Sequence, residues 1–298
     1  MDNRSEVREF LTSRRARVAP EDAGIVAGGN RRVPGLRRGE VAILAGVSVE
    51  YYGKIERGDI AGVSEAVLGA IARALRLSDA ERAHLFDLAR GAHAPVATSS
   101  RPGAGEAASM PRPMQAILDA ITGGPALVRN GRMDILATNL LARGLHAGTL
   151  DTPARGNIAR YTFLDPRARD FYPDPDSAAD VVVAILRTEA GRNPHDAAMQ
   201  DLVDELTSGS ESFRTRWHAH EVRQHGGGTK RFAHRAVGDL SFAYEEMQFV
   251  QHPGLTFLVY VPDPGSTSEE RMRLLASWQA TRDLMEPAAA ADGTQHSR

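Results

Sequence analysis

The sequence predicts two domains of different fold class: an all-α domain first, and an α+β domain with an antiparallel sheet after it. Up to Arg90 the apolar residues recur with a helical period, whereas after residue 113 helical patterns alternate with extended runs. Residues 92–113 are rich in Pro, Ala, Ser and Gly without any apolar period, which is typical of a linker. The expected boundaries are therefore 1–91, 92–113 and 114–285, followed by a disordered tail over 286–298.

Five short helices are expected in the first domain. Val7, Phe10 and Leu11 have helical spacing within the first of them, over residues 4–17. A Gly- and Pro-rich loop over residues 20–35 separates it from the second and third helices. Ser64 is expected to cap the fourth helix, and Ser78 or Asp79 to begin the fifth.

The second domain is expected to form one sheet with helices over one face. Two apolar runs around Asn130-Gly131 are typical of a β-hairpin. A strand pair, then helices, then consecutive extended runs indicate an α+β arrangement. The expected helices cover residues 114–121, 139–145, 178–190, 196–208 and 268–285, and the expected strands cover 216–224, 230–236, 240–250 and 255–261.

Composition excludes several classes of site. The chain has 298 residues, is 42% hydrophobic and 25% charged, and carries a formal net charge of −2. It has no cysteine, which excludes disulfides, thiolate zinc sites and cysteine nucleophiles. There is no apolar run long enough to span a membrane, and the charged N-terminus lacks an apolar signal region. A cytoplasmic protein is the simplest expectation.

Basic residues cluster near the N-terminus of this near-neutral chain. Such a distribution fits a small nucleic-acid-binding module joined to another domain, although a genome of high GC content would also favour Arg on the surface. Only Lys54 and Lys230 are lysines. The early cluster consists of Arg14, Arg15, Arg17, Arg31, Arg32, Arg37 and Arg38.

The stretch EVAILAGVSVEYYGKIERGD, residues 40–59, predicts two short helices joined by a tight turn. Gly46 tolerates the positive φ that such a turn needs, and Ser48 can cap the second helix. Tyr52 and Ile55 are three residues apart on that helix, with Val41 and Leu44 as expected partners on the first. This is the spacing of a helix-turn-helix, with a plain α-hairpin as the alternative.

A helix-turn-helix places the second helix in the major groove of DNA. Glu50 would accept a hydrogen bond from a cytosine amine, Lys54 would donate one to guanine, and Val49 would touch a thymine methyl group. The residues expected near base edges are Ser48, Val49, Glu50, Gly53 and Lys54, and those expected near phosphates are Arg37, Arg38, Tyr51 and Arg57.

Two stretches of the chain resemble known families. The segment PGLRRGEVAILAGVSVEYYGKIERGD, with VSEAVLGAIARALRL and SDAERAHLFDLA after it, resembles the DNA-binding domain of XRE/Cro-type helix-turn-helix regulators. The pieces NIARYTFLDPRARDFY, ILRTEAGRNP, LVDELTSGSESFRTRWHAHEV and YVPDPGSTSEERMRLLA resemble the C-terminal domain of MmyB-like transcription regulators. The second resemblance implies a PAS-like fold that binds a small molecule, which in one member of the family is a fatty acid.

The first resemblance has two departures. Gly39 and Gly53 stand where that subset of regulators has larger polar residues. Gly53 costs about 1 kcal/mol of helix propensity and removes one possible base contact.

Aromatic residues are expected to line the sheet and its covering helices, with a few polar groups beside them. If Arg160 points inward it would suit a carboxylate, unless it pairs with Asp165 or Asp170. The alternative is that all the rings are core. The ring positions are Tyr161, Phe163, Phe171, Trp217, Phe242, Tyr244, Phe249, Phe257 and Tyr260. The predicted ligand-binding residues are Asn139, Arg160, Tyr161, Phe163, Trp217, His220, Arg223 and Tyr244.

Neither a metal, another cofactor nor an enzyme is expected. His218 and His220 would share a face on a strand, but no fitting acid pair accompanies them. Sequence motifs of hydrolases, P-loops, dinucleotide sites and zinc proteases are missing.

The expected function is that of a sequence-specific transcription regulator. It would bind double-stranded DNA as a homodimer on a palindromic operator and sense a small apolar or fatty-acid-like ligand, without any membrane partner. The alternative is a DNA-binding regulator whose PAS-like domain only serves as a dimerisation or protein-interaction platform.

Overall fold

The computed structural model describes residues 3–25, 33, 35–92, 112–219 and 227–292. In these ranges no helix is both long enough and apolar enough to cross a membrane. The chain divides into two compact units. The first unit comprises residues 1–101 and 183–224, and the second comprises residues 102–182 and 225–298. Residues 183–219 thus group with the N-terminal helices, whereas the predicted boundaries placed them in the second domain.

All five helices predicted at the N-terminus of the first unit are present. Three of them begin at a serine whose hydroxyl oxygen accepts a hydrogen bond from a backbone N–H in the first turn: Ser48, Ser64 and Ser78. The helices are α1 (Asn3–Arg17), α2 (Arg38–Ala45), α3 (Val49–Glu56), α4 (Glu65–Ala74) and α5 (Asp79–Gly91), with a short 3-10 helix at Glu21–Ala23.

The core of these helices uses the predicted apolar faces, with one exception. Val41 is fully buried with Tyr52 and Ile55, as predicted. Leu44, in contrast, is 40% exposed, so its predicted packing against α3 is wrong. The buried stripe of α2 consists of Val41, Ala42 and Ala45, and Leu44 lies outside this stripe.

Three further helices follow: α11 (Pro175–Arg192), α12 (Ala197–Gly209) and α13 (Glu211–His218). The predicted strand over 216–224 is wrong where the structure describes it, because residues 216–218 end α13. Ser210 caps this helix by accepting from Phe213 N (3.2 Å), and the rings of Phe213 and Trp217 stack with centroids 5.4 Å apart. Their spacing of four residues is helical. Residues 183–219 belong to the first unit and are here called the docking segment.

The second unit contains an antiparallel five-stranded sheet in the order β2-β1-β5-β4-β3. This confirms the predicted α+β, PAS-like architecture. The predicted hairpin at Asn130-Gly131 joins β1 and β2, with Met133 at φ +68° in its loop. The strands are β1 (Ala126–Asn130), β2 (Ile135–Thr138), β3 (Gly227–His234), β4 (Gly238–Gln248) and β5 (Leu255–Val261).

Helices cover both faces of this sheet. On one face, here called the inner face, Phe232, Phe242 and Tyr260 pack against residues of the covering helices in one buried cluster. On the other face, Val128 and Phe257 pack with Leu118. The helices are α6 (Arg112–Ala120), α7 (Leu140–Leu145), α8 (Ala147–Leu150), α9 (Ile158–Leu164), α10 (Ala168–Phe171) and α14 (Thr267–Asp292).

The C-terminal prediction needs a correction. Helix α14 continues to Asp292, so residues 286–292 are helical instead of disordered. Residues 293–298 lie outside the described residues, as does most of the predicted linker over 92–113.

Replacement by alanine is expected to have opposite effects on stability at two glycines of the helix-turn-helix. Gly46 has φ +66°, where any residue with a Cβ atom is strained, whereas Gly53 lies inside α3 with helical backbone. We expect Gly53→Ala to raise the free energy of unfolding by about 1 kcal/mol and Gly46→Ala to lower it by about 1–2 kcal/mol. Chemical denaturation of the full chain measures both, and the same sign for the two variants would contradict this assignment of the turn.

Candidate nucleic-acid interface and ligand-binding core

Helix α3 presents an exposed face that contains three of the predicted base-reading side chains. Val49, Glu50 and Lys54 are all exposed. Lys54 Nζ lies 3.2 Å from Asp59 Oδ2, and both side chains are open to solvent. Exposed pairs of this kind contribute little to stability, so the lysine can exchange Asp59 for another partner at low cost.

The other two predicted positions on α3 differ. The Ser48 hydroxyl already serves as the helix cap and accepts from Tyr51 N at 3.1 Å. Gly53 is buried, and a Cβ atom there would lie 3.4 Å from Nη1 of Arg57. Arg57, which is exposed, therefore presents its guanidinium where Gly53 has no side chain.

A buried carboxylate fixes the position of α3. Glu56 is fully buried, and its Oε1 accepts from Arg15 Nε at 2.5 Å. Its Oε2 accepts from Arg38 Nε, and the Tyr52 hydroxyl donates to Oε1 at 3.4 Å. Because these residues lie on α1, α2 and α3, this one carboxylate links three helices.

The same carboxylate orients one of the predicted phosphate contacts. Arg38 remains 54% exposed although its Nε is bound to Glu56, and this hydrogen bond raises the pKa of the guanidinium. Arg38 thus carries a permanent positive charge that is held at the start of α2. Arg37 and Arg57 are exposed as well, and Tyr51 is 38% exposed.

The docking segment meets the N-terminal helices through a buried ion pair. Arg187 is fully buried and pairs through Nη1 with Glu6 Oε1 of α1. Its Nη2 donates to the Trp217 carbonyl oxygen, and its guanidinium lies 4.2 Å from the centroid of the Trp217 ring. The guanidinium is therefore held by an opposite charge, a hydrogen bond and a cation–π contact together.

A second set of contacts joins α11 to α5. Arg192 Nε lies 3.1 Å from Asp87 Oδ2. Gly191 approaches His84 so closely that an added Cβ would lie 2.8 Å from its ring. His84 is buried, and this burial lowers its pKa. The absence of a side chain at Gly191 thus permits the close contact.

The predicted ligand-binding residues are divided between the two units. Trp217 belongs to the first unit, whereas Tyr161 and Tyr244 belong to the second. His220 and Arg223 lie outside the described residues, and His218 ends α13 instead of lying on a strand. The argument for a histidine pair on one strand face therefore does not apply, and the described ranges contain no group of residues placed to hold a metal.

Asn139 has a structural role, and its predicted ligand contact stays a prediction. Its side-chain oxygen accepts from Ala142 N and Ala126 N, and its amide donates to the carbonyl oxygens of Ile121 and Gly124, at 2.8–3.0 Å. These bonds use its full capacity to cap α7 and to fix the start of β1.

Arg160 and Phe163, on α9, are both half-buried. Of the acids considered as partners of Arg160, Asp165 pairs with Arg167 at 2.7 Å. This hydrogen bond to Arg167 lowers the pKa of Asp165.

Two polar side chains that sequence reasoning missed lie inside the ring cluster of the second unit. His146 is 2% exposed, with the rings of Phe171, Phe232 and Tyr260 centred 6.0–6.3 Å away. Neither its ring nitrogens nor Thr149 Oγ1 has a hydrogen-bond partner among the residues that the structure describes. The signal in the sequence was a His and a Thr three residues apart in an apolar stretch.

An unpaired buried imidazole makes stability depend on pH. Burial lowers the pKa of His146 from 6.5 to about 3, so the folded chain keeps it neutral while the unfolded chain binds a proton below 6.5. We expect its contribution to stability to be complete above pH 6.5 and to fall by about 1.4 kcal/mol per pH unit towards pH ~5. Chemical denaturation over this range should show a shallower fall for His146→Phe.

His252 provides the matched control, because it is exposed. The variant His252→Gln should follow the wild-type pH dependence. Identical slopes for wild type and His146→Phe would contradict the assignment of a buried neutral imidazole.

Two family models match the chain. A helix-turn-helix domain matches residues 6–85, which include α2, α3 and the Glu56 cluster. The ligand-binding domain of MmyB-like transcription regulators matches residues 110–275, more than half of the chain, and includes both the His146 cluster and the docking segment. No match is found among curated proteins. The chain belongs to the MmyB-like transcription regulators, and combines a DNA-binding helix-turn-helix domain with that family's ligand-binding domain.

Proposed function

We propose that this regulator binds a palindromic operator as a homodimer, and that a small apolar or fatty-acid-like molecule in its second unit changes its affinity for DNA. The observation that carries the regulatory part is the docking segment. Its residues lie within the region that matches the ligand-binding domain, yet they pack with α1 and α5 of the first unit.

The DNA-reading part of the proposal uses the exposed side of α3. Val49, Glu50 and Lys54 meet base edges in the major groove. Arg37, Arg38, Tyr51 and Arg57 meet phosphates, which position the helix without specifying sequence. Because one such motif reads only a few base pairs, two copies on half-sites about one helical turn apart supply the specificity.

The regulatory part requires that the ligand favours one state of the protein over another. The buried contact between Glu6 and Arg187 is a suitable place for such a difference between two states. Removing one partner of a buried ion pair typically lowers the free energy of unfolding by about 3–5 kcal/mol. A change in the position of the docking segment would therefore shift α1. Helix α1 carries Arg15, which donates a hydrogen bond to Glu56 of α3.

An alternative function for the second unit is a dimerisation platform without a ligand. The full burial of Phe232, Phe242 and Tyr260 in one cluster favours it, because these rings fill the inner face. Mass spectrometry of extracts from the purified protein, together with thermal shifts with fatty acids, separates the two functions. Both are non-enzymatic and place the protein in the cytoplasm beside the DNA that it regulates.

A substitution on α3 tests the DNA-reading face. Lys54→Ala should weaken binding to the operator by about 1–3 kcal/mol, because it removes a donor to a base edge. Fluorescence anisotropy with the protein's own promoter region and a scrambled duplex measures this. Asp59→Asn is the matched control: it releases Lys54 from its partner and should leave operator affinity unchanged or higher. Equal affinity of wild type and Lys54→Ala for both duplexes would count against the assignment.

A paired substitution tests the route from the ligand to DNA. In Glu6→Gln/Arg187→Met both charges are removed, so no buried charge is left alone. We expect fatty acids to raise the Tm of this variant as they do for wild type, while the ligand-dependent change in operator affinity is lost. A ligand response of DNA binding equal to that of wild type would show that the signal does not pass through this contact.

A further inference from the structure

We propose that Lys230 is the anchor for the ligand's anionic head, with an apolar body lying against the rings between Lys230 and His146. The inference rests on the proposed ligand-sensing function of the second unit and names the charge that the ligand carries. It replaces Arg160, the anchor that the sequence suggested, with a residue on the inner face of the sheet.

Among the described strand residues, three charged side chains lie on that face. Arg129 is 3% exposed and pairs with Glu246 at 2.9 Å. Lys230 lies on the same face, since it pairs across the sheet with Phe242. Two cations thus accompany one carboxylate, and within the described ranges Lys230 has neither an ion pair nor a hydrogen bond.

The Lys230 ammonium lies beside an aromatic ring. It lies 5.0 Å from the centroid of the Tyr244 ring, a cation–π contact that offsets part of the cost of burial. Burial lowers the pKa of Lys230 to about 8, with Glu246 opposing and Arg129 reinforcing the change. The group is therefore charged at neutral pH, in a place where an anion would stabilise it.

A row of aromatic rings extends from Lys230 and would contact the rest of the ligand. Tyr244 and Tyr260 have ring centroids 6.2 Å apart, and Tyr260 and Phe232 have centroids 5.5 Å apart. The row of rings leads to His146, whose pKa is lowered in part by the charge of Lys230. Phe232 and Tyr260 are each 1% exposed, so an apolar body that reaches them would take the place of part of their present packing. The unpartnered nitrogens of His146 suit a hydrogen-bonding group on that body.

Together these features select a monoanion with an apolar body. A neutral lipid would leave the charge of Lys230 uncompensated. A dianion would carry more charge than Lys230, the cation without an ion pair among the described strand residues of this face, can balance. A lysine ammonium is a point charge that binds carboxylate and phosphate alike, so the head group is defined here by its charge.

The binding experiment compares an acid with a neutral analogue of equal length. Sodium decanoate and decanol are titrated by calorimetry into delipidated full-length protein: wild type, Lys230→Met, Lys230→Arg and Arg160→Met. We expect Lys230→Met to lose about tenfold or more in affinity for decanoate and none for decanol. Lys230→Arg and Arg160→Met should both retain decanoate binding. Decyl methyl phosphate, a diester that carries a single negative charge, is the third probe and distinguishes a carboxylate head from a phosphate head.

Chemical labelling gives a readout that does not depend on variants. Because Lys54 and Lys230 are the only lysines, an amine-reactive reagent followed by mass spectrometry reports on each. Decanoate should protect Lys230 and leave the labelling of Lys54 unchanged. Equal protection of both lysines, or of neither, would overturn the proposal.

The outcomes separate this inference from the proposed function. Unchanged decanoate affinity in Lys230→Met, or equal binding of decanoate and decanol to wild type, overturns the anchor and keeps the ligand function. Loss of decanoate binding in Arg160→Met alone would show that the anchor is Arg160 on α9, and would likewise overturn the assignment of Lys230. Binding of none of the three probes overturns both. Lys230→Met should fold with a Tm at least equal to that of ligand-free wild type, because it removes an uncompensated charge.

Discussion

The ion pair between Glu6 and Arg187 is the interaction on which the organisation of the first unit depends. Arg187 is fully buried, and it unites α1 with α11 and, through the Trp217 carbonyl, with the end of α13. Without Glu6 the buried guanidinium would lose this opposite charge, which is strongly unfavourable. This pair therefore explains why a segment that belongs by sequence to the ligand-binding region packs with the DNA-binding helices.

Features that follow from local backbone chemistry were predictable. The turn at Gly46 needs positive φ, and the caps at Ser48, Ser64 and Ser78 need only a hydroxyl beside a helix start. The alternating run at 240–250 indicated β4 because a strand with one buried face repeats every two residues. All of these signals are contained within a few neighbouring residues.

Features that depend on distant partners were not predictable. Arg187, thirty residues before Trp217, contacts both the ring and the carbonyl oxygen of Trp217, and the neighbours of Trp217 in the sequence do not indicate this. The side chain of Asn139 binds four backbone groups from separate segments, and its neighbours in the sequence do not indicate these partners. Lys230 is important because it lies over the Tyr244 ring, and His146 because it is buried among rings; a single sequence reveals neither feature.

The central claim is that occupation of the second unit changes DNA binding by the first. Fluorescence anisotropy of the full-length protein on its own promoter region, at two salt concentrations with and without decanoate, tests it most directly. We predict specific binding that weakens steeply with salt. We also predict that the operator Kd shifts when decanoate is present. Specific binding whose Kd is the same with and without a bound acid would contradict it.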